Sequence, residues 1–191
     1  MTKNLKISLI ILVLLSSILF ISQKGQSKYR SKSSQLFMMN HNDVSRFLIQ
    51  NRTDAIELSK KDTIWTISGN DTLEVKQQSI DNFFDKVLLV KIGTLVSKNS
   101  DNWSKYSVDD STGTHLALID IDGNTKEYAV FGRSMSDYSR NYVRTHQDPQ
   151  VYLTDTSILH FLSTSPTYWG EAPKPEPQVP PIEEDLDAGI E

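Results

Sequence analysis

Cysteine is absent from this 191-residue chain, which excludes disulfide scaffolds, thiolate metal sites and cysteine nucleophiles together. Basic charge is in short supply: 20 Lys and Arg stand against 24 Asp and Glu, a net charge of −4, with a pI near 5.6. Without an excess of cations no broad surface can neutralise phosphates, and nucleic acid is not expected as a partner. The short catalytic signatures are missing too. There is no Gly-x-Ser-x-Gly elbow, no Gly-x-Gly-x-x-Gly turn and no P-loop. The histidines, His41, His115, His146 and His160, never stand three or four residues apart, the spacing that sets two ligands on one helix face. Asp120-Ile-Asp-Gly-Asn124 has the look of a calcium loop, but its glycine falls at the fourth place instead of the sixth. Phe131 then occupies the twelfth place, where a bidentate Glu is needed. The chain is accordingly read as non-enzymatic, with no cofactor and no metal.

What is present is clearest at the two ends. Ile7 to Ile21 is uncharged and interrupted only by Ser8, Ser16 and Ser17; as a helix, Leu5 to Ser22 reaches roughly 27 Å, enough to span a hydrocarbon core with little tilt. Residues 1–22 are therefore expected to form one transmembrane helix, a plasma-membrane anchor. A cleaved signal peptide is the rival. Cleavage after Ser22 would put Phe20 where a small residue is wanted, so the uncleaved anchor is favoured. Lys24, Lys28, Arg30 and Lys32 outnumber Lys3 and Lys6, against a simple positive-inside assignment. The domain is nonetheless placed on the extracytoplasmic side, because a short tail before a hydrophobic helix inserts as a signal does. Residues 23–40, rich in Ser, Lys and Gln, read as a flexible linker. Residues 170–191 hold five prolines and seven acidic residues, a composition that cannot build a core and reads as an extended tail. A passive end and a polyproline ligand for a partner both fit it.

Between the ends, residues 41–169 alternate strand and helix periods. Ala55–Leu58 and Thr63–Ile67 read as a hairpin about Ser59–Asp62. Ile80, Phe83, Phe84, Val87 and Leu88 recur at helical spacing and define one buried helix face. Gly93–Ser97 reads as a strand. Thr114–Ile121 and Thr125–Phe131 form a second hairpin about Asp122-Gly123-Asn124, where Gly123 and Asn124 accept positive φ. Asn141–Arg144 and Gln150–Leu153 read as strands, and Ser157–Ser163 as a last helix ending before Pro166. The expected fold is α+β: a mostly antiparallel sheet with two main helices packed over one face.

The stretch Trp103-Ser-Lys-Tyr-Ser-Val-Asp-Asp-Ser-Thr-Gly-Thr114, then Gly132 at a strand end, Val151-Tyr-Leu153 and a closing Tyr168-Trp169 resemble the bacterial domain-of-unknown-function family 4340. The likeness runs from the N-terminal apolar helix to about Trp169, with Tyr-Ser-Val-Asp-Asp-Ser its most specific part; the acidic tail lies beyond it. The resemblance implies a single-pass membrane protein found beside gliding-motility-type ABC transporter components, hence an accessory envelope role. It supplies no catalytic residues.

Two constellations remain. Asp109-Asp110-Ser111 could bind a cation or share a proton, but Asp and Ser before Gly113 make a turn the stronger reading. The aromatic surplus is mainly packing. Its functional rival is an interaction face of Tyr138, Arg140, Tyr142 and Arg144, which a period of two would set on one side of a strand. The sequence is thus read as a non-catalytic, membrane-anchored envelope interaction module in an ABC-transporter-like complex. The alternative is a glycan-binding or hydrolytic envelope domain, which would gather Asp109, Asp110 and a histidine in a pocket.

Overall fold

A computed structural model describes residues 34–173; the expected anchor, most of the expected linker and most of the acidic tail lie outside the described residues. No helix among the described residues is long and apolar enough to cross a membrane. The strands are β1 (Ser34–Gln35), β2 (Arg46–Gln50), β3 (Ala55–Lys61), β4 (Ile64–Ile67), β5 (Glu74–Val75), β6 (Lys91–Ser97), β7 (Thr114–Ile119), β8 (Thr125–Arg133), β9 (Asn141–Thr145), β10 (Val151–Thr154) and β11 (Gly170–Glu171). Nine of them form a sheet in the order β1-β6-β10-β9-β8-β7-β2-β3-β4, while β5 and β11 pair separately. Every pair is antiparallel.

Alternation sets the inner face. Phe47 and Ile49 of β2 stand opposite Leu58 and Ile56 on one side and Leu118 and Leu116 on the other, and all six are buried, as a pleat with one apolar face requires. Helix α1 (Gln77–Asn82) continues as a π turn over Phe83–Val87 and closes that face. Its stripe of Ile80, Phe83, Phe84, Val87 and Leu88 is buried as the spacing predicts, with Phe83 stacked on Phe47 at 4.0 Å between ring centroids. Trp169 packs against both rings from helix α2 (Pro166–Trp169), and its Nε1 donates to the Ser163 carbonyl at 2.7 Å. The start of α1 is tied to the same place: the Lys76 amide donates to the Trp169 carbonyl and the Ser79 hydroxyl to that of Tyr168.

Both expected hairpins form. The β3–β4 turn falls at Asp62-Thr63, later than predicted, with Asp62 at φ 56°. In the β7–β8 turn Gly123 has the positive φ, whereas Asn124 donates its amide to the Asp120 carboxylate. Other expectations need correction. The predicted helix over Ser157–Ser163 is a single 3-10 turn at Leu159–Phe161, and Pro166 starts α2 instead of stopping a helix, because the first turn has no use for its missing N–H. The packed chain also includes part of the expected linker: β1 pairs with β6, and Leu36 and Phe37 join the core. At the other end, Gly170 and Glu171 of the expected tail pair with β5.

The sheet is covered on its second face as well. Residues 98–113, which contain 3-10 turns at Ser100–Asn102 and Ser104–Tyr106, lie across β8, β9 and β10. They bury Val108 with Val130 and Val151, flanked by Trp103, Tyr106, Tyr128 and Tyr142. The expectation of cover on one face is thus incomplete, and the most specific part of the sequence motif is the second cover.

Candidate functional site

The covering segment is held by Arg144, whose side chain is fully buried. Its guanidinium donates to the carbonyls of Val108 and His146 and to the Asp110 carboxylate, and it lies over the Trp103 ring at 4.0 Å from the centroid. A planar fork with several donors suits this arrangement, since each acceptor takes its own N–H while the flat face stacks. Asp110 itself is mostly exposed, so the ion pair straddles the boundary between sheet and solvent. Asp109 forms the turn anticipated from the sequence. It accepts the amides of Ser111 and Thr112 at 2.9 and 3.1 Å together with both of their hydroxyls. Partial burial pushes its pKa up, but these four donors outweigh burial and hold the carboxyl well below the ordinary range. His115 Nδ1 meets the Tyr128 hydroxyl; partial burial draws the imidazole pKa down, opposed by the Asp110 backbone and carboxylate. Asp110, His115 and Arg144 thus share one neighbourhood in which the hydrogen bonds hold the second cover to the sheet.

The four residues of the proposed face are placed differently from one another. Tyr142 and Arg144 do share a side of β9, as a period of two requires, but that side is the covered one: Tyr142 packs on Tyr106 at 4.7 Å and Arg144 is enclosed. Tyr138 and Arg140 precede β9, in the turn after β8. Tyr138 is 73% exposed, and Arg140 Nε donates to Asp137 at 2.6 Å. The expected single-strand face does not form: Tyr142 and Arg144 lie under the second cover, and Tyr138 and Arg140 lie outside the strand. The physical reason is that a period of two fixes the side of a strand, and the cover on that side comes from a distant segment.

Among the described residues several concave places open to solvent, and two of them differ in chemistry. The larger, a groove of about 800 Å3, is lined by Met38, Met39 and Val44 with Ile121, Lys60, Lys126 and acidic side chains that include Asp62 and Glu127. Met38 is 79% and Ile121 84% exposed, an apolar pair at the lips of a groove whose rim carries both signs of charge. Lys126 pairs with Asp120 at 2.9 Å, and Glu127 accepts the Met38 amide, which seats the Met38 segment against β8. Sequence reasoning missed this groove. Its signals were an isoleucine inside the Asp120-Ile-Asp-Gly turn and two adjacent methionines in a polar segment, since an apolar residue in a turn has no core to enter. The smaller cleft, about 280 Å3, is lined by Arg133, Ser134, Tyr138, Arg140, Asn141, Ser157, Leu159 and His160. Neither place is lined by Asp109, Asp110 or His115, and no group of three His, Asp or Glu side chains among the described residues is arranged to hold a metal ion.

A family model described as Domain of unknown function (DUF4340) matches residues 65–172, from the second residue of β4 to just past β11. No curated protein and no solved structure matches the chain.

Proposed function

The chain belongs to the DUF4340 domain family, and from that premise we propose that it is a non-catalytic contact module of the cell envelope, tethered to the plasma membrane by residues 1–22. The observation that carries this reading is the 800 Å3 groove with Met38 and Ile121 exposed at its lips. Exposed apolar side chains around a concavity, rimmed by charge of both signs, are the usual makings of a protein-binding surface. Methionine adapts its shape to a partner at low cost. The groove is built in part from residues 38–45, the stretch that follows the expected tether, so a partner in the same membrane is within reach of the domain. The length and dryness of Leu5 to Ser22 support the anchor. Signal-like insertion of a short tail and hydrophobic helix supports extracytoplasmic placement, and the family resemblance supports an ABC-transporter-like complex as the partner. The test is capture of partners from detergent-solubilised membranes by the full chain and by Ile121→Glu, which places a charge on the lip without touching the core.

A further inference from the structure

The smaller cleft has a chemistry unlike that of the groove. Arg133 ends β8, is exposed, and forms no ion pair among the described residues. Arg140 uses its Nε on Asp137, which leaves both Nη groups without a protein acceptor among the described residues. Asp137 is also taken up by the Ser139 amide and hydroxyl, and the cleft lining contains no carboxylate of its own.

Asn141 supplies the second, independent observation. The residue is 2% exposed, and its Oδ1 accepts the amides of Ile158 and Leu159 at 2.7 and 3.3 Å, so the carboxamide cannot rotate without losing two hydrogen bonds. Its Nδ2 finds no acceptor among the described residues, yet none of the fully buried side-chain polar atoms there lacks a partner. The Nδ2 must therefore touch solvent, and the solvent-filled space that Asn141 lines is this cleft. A fixed amide donor with two guanidinium groups, the Tyr138 and Ser157 hydroxyls and the His160 ring around it offers donors and little to accept from a ligand.

We infer that this cleft binds an oxyanion, the carboxylate or phosphate group of a small molecule or of a larger one that presents it at an end. Guanidinium forks take such groups through paired charge-assisted hydrogen bonds, and 280 Å3 admits a head group without a second ring. The site lies apart from the groove of the proposed contact function, so either can fail alone. The experiment is a titration of the isotopically labelled full chain, solubilised in an uncharged detergent, with inorganic phosphate, and separately with acetate, at constant ionic strength against sodium chloride. The expected result is a saturable shift of the Asn141 side-chain NH2 signal and of the amides of residues 157–160 with at least one anion. The arm that saturates identifies the group. Arg133→Gln should weaken that binding about tenfold, the scale of one lost charge-assisted hydrogen bond, while Lys60→Gln, the same charge change in the groove, should leave it unaltered. The inference is overturned if neither anion gives saturable shifts, if chloride reproduces them, or if Arg133→Gln binds as tightly as the parent chain.

Discussion

At the scale of single residues the most informative is Arg144, a charged side chain with no exposure that holds two layers of the fold together. Replacing it with Ala strips the Val108 and His146 carbonyls of their donor and leaves a void beside Trp103. Arg144→Ala should therefore lose about 2–4 kcal/mol in urea unfolding. Arg144→Lys should recover little, because an ammonium cannot serve three acceptors and stack at once. A change below about 0.5 kcal/mol, the range of ordinary surface substitutions, would contradict the role assigned to it. His115 gives a pH-dependent counterpart. Its folded pKa lies below 6.5, so between that value and 6.5 the unfolded chain binds more protons than the folded one, and stability falls as pH drops through this window. Asp109, also lowered, adds a further loss only as pH falls below about 3.8, its ordinary value. The melting temperature should thus be lower at pH 5 than at pH 7, and the difference should shrink in His115→Gln; an equal difference in both proteins would place the titration elsewhere. The period of two places Arg144 on the same side of β9 as Tyr142. It could not tell that the side is covered, since the cover is a run of 3-10 turns whose residues follow neither a period of two nor one of 3.6.

Among the elements, residues 98–113 behave as a clasp whose closeness depends on what they rest upon. A Cβ at Gly132 would collide with the Tyr106 carbonyl and stand 2.7 Å from that of Ser107, so the glycine at the end of β8 is what lets the clasp backbone approach the sheet. Gly132→Ala should destabilise the domain by roughly 3 kcal/mol or more, and should raise hydrogen exchange first at residues 98–113; protection unchanged along this stretch would show that it packs less closely than described. Elements with a strong period were the legible ones. The stripe from Ile80 to Leu88 and the alternation of β3 and β4 each carry their own pattern, and the Asp-Gly-Asn turn carries its own conformational demand. Strand β2 was not legible. Phe47-Leu-Ile49 is three apolar residues in a row without alternation, and it becomes a strand because β3 and β7 pair with it on both sides. The segment Ser157–Ser163 misled in the opposite sense: Ile158 and Leu162 are buried at a helical interval, although the local backbone makes only one 3-10 turn.

For the whole molecule, the proposed contact function rests on the groove between the Met38 segment and the β7–β8 turn. Residues 98–113, which look most like a functional motif, pack as the second cover of the sheet, and the open groove is formed by residues without any motif. A site made by bringing residue 38 beside residues 121–127 is fixed by topology and has no signature along the chain. The most direct measurement is recovery of partner proteins from detergent-solubilised membranes by the full chain, its Ile121→Glu form and its Asp110→Asn form, each checked by a circular-dichroism melt. Contact through the groove predicts that Ile121→Glu keeps its melting temperature and loses at least about tenfold in captured partner, as truncation or charging of an anchor residue does, while Asp110→Asn captures as the parent does. Capture by Ile121→Glu equal to the parent, with Asp110→Asn folded but inactive, would contradict the account and return the clasped face to consideration as the functional one.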